Sequence, residues 1–355
     1  MQIIIYSKAR IVIYIVIVLA LISWPSYLGV QGSSPVDEES AEPYQVKIYL
    51  PVLVKLGMEN VGLQPYTGPP PENPTWLEYI NYLRSIAGLA AVVENPGWSE
   101  GDWLHARYMV KNDYIGHSED SGNFWFTSQG DLAARTSNLL ASSSHSATDL
   151  AAIAGWFQAP FHGVGILDPQ LQQVGFGSFR EQDGGYQMGA ALDVIRGLDD
   201  LPGGIIFPIA WPGNGSSIPL TSFNGEYPNP LSSCPGYSAP AGLPIILQVG
   251  AGELSPQVTS HSFRLGNQEL SHCVFHESSY RNPDRSAQSL GRAILDSRDA
   301  VVLIPEEPLV SGNTYSVSIT VNGDTHQWSF STTEMNTTNT SRLVGNSAEW
   351  EFSSP

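Results

Sequence analysis

Residues 155–177 read GWFQAPFHGVGILDPQLQQVGFG, and this stretch decides the fold. Trp156 closes a helical run in which Leu150, Ile153 and Trp156 or Phe157 recur at the spacing of one buried face, so a helix is expected over about 147–157. His162 follows, then an apolar Ile166-Leu167 turn. The pattern next becomes alternating: a strand over 172–179, opening with Val174-Gly175-Phe176-Gly177, a turn at Asp183-Gly184-Gly185, and a return strand over 186–194. The turn chemistry makes that pair an antiparallel hairpin.

Upstream, the signals are helical. Thr75-Trp76-Leu77-Glu78 is a capping box, the threonine oxygen taking an orphan N–H while the glutamate reaches back. Trp76, Ile80, Leu83 and Ile86 then recur at helical spacing up to Gly88. Ser99-Glu100-Gly101-Asp102 is a looser start signal for a second helix, with Trp103, Ala106 and Val110 on one face and an end near Asn112-Asp113. His117 stands just beyond it. Helices first, then an antiparallel hairpin, define an α+β segment over 75–200.

In combination these residues resemble the CAP superfamily, the cysteine-rich secretory, antigen 5 and pathogenesis-related proteins, in its bacterial, SCP-like form. Asn81-x-x-Arg84 with Gly88-Leu89 is similar to the first-helix signature. Ala106 and Met109 suit the second helix, and His117 matches the histidine after it. Trp156-x-x-Ala159-x-x-His162 with Ile166-Leu167 resembles the bacterial Trp-x-x-Ser-x-x-His…Ile-Leu pattern. The resemblance implies an α–β–α sandwich with His117 and His162 as neighbours across a cleft.

The same resemblance exposes departures. Thr136-Ser137-Asn138 stands where the family has Gly-Glu-Asn, so Ser137 replaces a glutamate; Ala159 replaces a Glu or Ser. The cleft candidates are therefore His117, His162, Ser137, Ala159 and Glu119. His117 and His162 are also the metal candidates, for a divalent ion such as zinc, with Glu119, Asp120 or His145 as further ligands. Two imidazoles fall short of the three or four ligands such an ion takes. His105 reads as a packed structural residue and His145 as a loop residue. No Gly-x-Ser-x-Gly elbow, His-Glu-x-x-His helix or phosphate loop is present. The expectation is a non-catalytic module taking a small molecule, lipid or peptide in the cleft, with cell-surface partners. The alternative is a weak metal-assisted or histidine-dependent hydrolase, which a carboxylate within reach of either imidazole would favour.

The 355 residues carry a net charge of −18, which repels nucleic acid. Lys8 and Arg10 precede an apolar run over 11–22, so 1–32 is either a signal peptide or an uncleaved N-terminal anchor, and the rest is secreted or extracellular. Residues 33–74 form an acidic, then Pro-rich linker, in which 46–56 could add an edge strand. A turn-rich break over 201–217 leads into a segment, 201–333, read as an all-β immunoglobulin-like sandwich. Its strands are expected at 244–249, 258–265, 270–275, 300–304, 314–321 and 327–332, with Asn322-Gly323 a hairpin turn. The break is expected to let the two segments fold around separate cores. Cys234 and Cys273 either form one disulfide within the sandwich or remain two buried thiols. The polar tail, 334–355, is expected to be disordered.

Overall fold

The computed structural model describes residues 64–333 and 350–353. The signal or anchor, the linker up to residue 63 with its edge-strand candidate, and tail residues 334–349 and 354–355 lie outside them. Among the described residues no helix is long and apolar enough to cross a membrane.

The first segment opens with α1 (Trp76–Ile86), whose capping box forms as its sequence demands: Thr75 Oγ1 accepts from Glu78 N, and Glu78 Oε2 accepts from Thr75 N. Strand β1 (Val93–Glu94) and helix α2 (Pro96–Asn112) follow. This corrects the expected start at Ser99. Asn95 is the cap, its side chain accepting from Gly97 N, and Pro96 fits the first helical position because it has no N–H to satisfy. Helix α3 (Ser128–Thr136) and strand β2 (Ser137–Ser142) come next, neither of which the hydrophobic pattern separated. Helix α4 (Asp149–Gln158), capped by Thr148, leads at once into α5 (Pro160–Ile166), so His162 sits in a short helix of its own. Strands β3 (Gln173–Val174), β4 (Phe176–Arg180) and β5 (Met188–Asp193) complete the segment.

Strands β2, β5 and β4 are neighbours in one antiparallel sheet, and their register sets the layers. Leu140 lies opposite Ala190 and Leu139 opposite Ala191. Successive side chains point to opposite faces. Leu140 and Ala190 join the core containing α1 and α4, whereas Leu139 and Ala191 join Met109 of α2. The outcome is helix, sheet, helix. The α2 side is close because the strands carry glycine where the helix crosses. A Cβ on Gly177 would come within 2.0 Å of Trp103 N, and one on Gly189 within 2.7 Å of Ala106 O.

The signature residues of α1 hold loops. Asn81 brackets Val92, donating to its carbonyl at 3.0 Å and accepting from its N–H at 2.8 Å. Arg84, 1% exposed, spreads its guanidinium over the carbonyls of Ala90, Ile166, Asp168 and Leu171.

In the second segment β6 (Ile209–Trp211), β7 (Ser217–Ile218), β8 (Ser222–Phe223) and β9 (Ala241–Gly242) are short. They are followed by β10 (Ile245–Gln248), β11 (Val258–Leu265), β12 (Gln268–Glu269) and β13 (His272–His276). Helix α6 (Arg285–Asp296) precedes β14 (Ala300–Pro305), β15 (Thr314–Val321) and β16 (Asp324–Thr332). One sheet runs β13-β14-β10-β6 and another β12-β11-β15-β16-β7. Every expected strand is found, and β15 and β16 join at Asn322 and Gly323, both at positive φ. The segment is not all-β, however. Asp284 caps α6 through Ala287 N, and Ala287, Gly291 and Leu295 face inward at four-residue spacing, a helical signal that the surrounding strands masked. Cys234 and Cys273 are bonded, their Cα atoms 5.6 Å apart. Residues Trp350–Ser353 form β17, antiparallel to β2, which corrects the reading of 334–355 as wholly disordered.

The described residues fall in one compact unit, Gly57–Pro355. Apart from the small cluster around Met109, the core of both segments is one continuous cluster, so the expected separate cores are not found. Phe157 meets Trp211 at 5.1 Å between ring centroids, and Phe161 meets Tyr280 at 5.0 Å.

Candidate functional site

The candidate residues lie in the loop between α2 and α3, at the start of β2, and at the cap and first turn of α5. The loop after α2 is organised by a buried pair: His105 Nδ1 is 3.0 Å from Glu119 Oε1, both side chains unexposed. His105 Nε2 donates to Gly116 O at 3.1 Å. A carbonyl only accepts, so that nitrogen carries a proton, and one further proton is held between Nδ1 and the carboxylate. Glu119 Oε2 accepts from Thr127 N. Glu119 is thus committed to holding this loop against α3.

His117, half-buried, donates from Nδ1 to Ala134 O at 2.6 Å. Ser137, at the position of the family glutamate, donates to Asp102 Oδ1 at 2.7 Å. Asp102 has no exposed surface. Burial pushes its carboxyl up to about 8, against the opposing pull of the Ser137 hydroxyl. An acid therefore does lie beside Ser137, but it comes from α2, and burial favours its protonated form.

His162 is fully buried. Its Nδ1 lies 2.8 Å from Glu226 Oε2, and neither side chain has any exposed surface. The same carboxylate accepts from the backbone N–H groups of Phe161 and His162, which Ala159, the cap residue of α5, has no side chain to satisfy. Burial raises the Glu226 carboxyl, while its bonds to the His162 ring and the two amides pull it down. Asn138 Nδ2 donates to His162 O at 3.3 Å. Both candidate histidines are therefore tied to the α3–β2 segment, His117 at Ala134 and His162 at Asn138.

The second segment closes over the end of α5. Gln248 donates to Leu167 O at 2.9 Å, and Arg298 Nε is 3.0 Å from Asp168 Oδ2. The motif that opens at Trp156 is here a seam between segments.

The profile of the cysteine-rich secretory protein family, CAP, matches residues 77–193. This part of the chain is a CAP domain. No curated protein and no solved structure matches the chain.

Four of the five candidates are buried: His162 and Ser137 are 0% exposed, Ala159 1% and Glu119 7%. His145 lies exposed in a turn. Among the described residues no group of three or more His, Cys, Asp or Glu is placed to hold a metal ion. Among the described residues no third ligand joins His117 and His162, so the CAP histidines do not complete a closed zinc site. Sequence reading missed Glu226 and the role of Asp102. Glu226 lies in NGEYPNP, a turn-rich stretch without periodicity, and only tertiary pairing reveals it. A groove of about 250 Å³ lies elsewhere, between the end of α1 and the connection to the second segment, lined by Pro65, Ala87, Leu89, Ile205 and Ile206 among others.

Proposed function

We propose that this chain is a secreted CAP-domain protein that acts by binding rather than by catalysis, its second segment an immunoglobulin-like module that holds the CAP domain in place. The supporting observation is the His162–Glu226 pair. A histidine that serves as a general base must reach a substrate proton directly or through one water. Here Nδ1 of the ring is taken by the Glu226 carboxylate, and neither side chain has exposed surface. The acidic chain fits an extracellular setting and excludes nucleic acid as a partner. A small apolar molecule, a lipid chain or an apolar peptide side chain suits the groove beside α1, whose wall is mostly apolar.

The hydrolase reading draws on the same pair, since a carboxylate 2.8 Å from an imidazole is what orients and polarises a histidine base. The test is a side-by-side assay of the native protein and H162A on ester and peptide substrates. No turnover above H162A supports the binding role. Turnover that H162A and E226Q both abolish, with the fold intact by circular dichroism, overturns it.

A further inference from the structure

Two histidines outside the CAP domain meet at the open margin between the two sheets of the second segment. His261 stands on β11 two residues before Phe263 and so on the same side of that strand, while His272 opens β13 in the other sheet. His272 Nδ1 lies 2.7 Å from Leu270 O, so that nitrogen must be the donor and Nε2 of the neutral ring presents a lone pair. That lone pair faces His261 Nδ1 at 2.8 Å. The rings stand at 79° with centroids 4.9 Å apart, and Phe263 backs the His272 ring at 6.3 Å. His261 is exposed and His272 half-exposed, so the pair is open to solvent.

We propose that His261 and His272 form a two-imidazole site for a divalent transition metal, Cu²⁺ ahead of Ni²⁺ and Zn²⁺. Imidazole nitrogen suits these ions, and the order follows their general affinities for nitrogen ligands. His272 is already in ligand form: a backbone carbonyl holds its distal N–H, the arrangement that fixes tautomer and ring direction in metal-bound histidines. His261 becomes a ligand by shifting its proton from Nδ1 to Nε2 and turning its exposed ring, with no net proton released. Metal–nitrogen bonds of about 2.0–2.1 Å at a cis angle put the two nitrogens roughly 3 Å apart, close to their present separation. The neighbouring carboxylate is excluded, because Glu269 is held by Arg264 at 2.8 Å and by Phe263 N. Water completes the coordination, so the ion is exchangeable.

The test is a Cu²⁺ titration of the full, tag-free chain, followed by calorimetry and by the nitrogen hyperfine pattern in electron paramagnetic resonance. One equivalent with a two-nitrogen signature is expected. Affinity should fall at least about tenfold in H261N and in H272N, and stay unchanged in H145N, which alters an exposed turn residue of the first segment. His261 is exposed, so H261N is expected to keep its metal-free melting temperature and to report on the ligand alone. Absence of stoichiometric binding, or binding that H261N and H272N leave unaltered, overturns the proposal.

Discussion

Glu226 Oε2 sits 2.8 Å from His162 Nδ1, across 64 positions of sequence, with both side chains buried. The carboxylate that the CAP domain lacks at Ser137 and Ala159 is supplied to its histidine by the second segment. Removing one partner of a buried pair strands the other. H162A and E226A should therefore each cost about 3–5 kcal/mol of unfolding free energy, and E226Q, which keeps the volume and one acceptor, about 1–3 kcal/mol. Urea denaturation of the three variants measures this. An E226A variant as stable as the native chain would remove the pair from any structural role.

Asp102 makes stability depend on pH in an unusual direction. Its carboxyl titrates near 8 in the folded chain against an ordinary value of 3.8. Between those values the folded state keeps a proton that the unfolded state has released. Its contribution is therefore full below pH 3.8 and is lost as pH rises toward 8, at up to about 1.4 kcal/mol per pH unit. Asn at this position imitates the neutral acid and still accepts from Ser137. D102N should flatten the decline in melting temperature between pH 5 and 8 and match or exceed the native chain at pH 8. Equal slopes in both proteins would show that Asp102 is ionised in the fold.

Gly177 lies where α2 crosses β4, and a Cβ there meets the backbone nitrogen of Trp103 at 2.0 Å. Backbone cannot swing aside as a side chain can, so G177A should cost at least about 1–3 kcal/mol. Thermal melting decides it. A loss below about 0.5 kcal/mol would mean that α2 lifts off the sheet freely.

The Cys234–Cys273 bridge closes a loop of 39 positions. Its reduction, or C234S with C273S, should lower stability by about 2–4 kcal/mol. Denaturant melts with and without reductant give the number, and coincident curves would discount the bridge.

The shared core makes the CAP domain dependent on the second segment. A fragment of residues 64–200 leaves Phe157, Phe161 and His162 without Trp211, Tyr280 and Glu226. It should melt well below the full chain and bind a hydrophobic dye. A fragment melting at the temperature of the full chain would show that the interface adds nothing.

Several features were legible in the sequence because their causes are local. The Thr75–Glu78 capping box, the Asn322-Gly323 hairpin, the strand over 258–265 and the helix ending near Trp156 rest on contacts within a few residues. The CAP resemblance was equally readable, since it is a pattern of residue types along the chain. The work those residues do was decided by tertiary structure. Arg84 carries a loop network, Ser137 meets a buried Asp102 and His162 is sealed by Glu226, each through partners at least 35 positions away except the nearby Ala90 carbonyl. Helix α6 was hidden for a related reason: a twelve-residue helix among strands gains its stability from packing against Tyr280 and Phe161, not from its own propensity. Local hydrogen bonds act over a turn of chain. Burial of a polar group, and the pairing it then demands, depends on which distant apolar faces come to share one core.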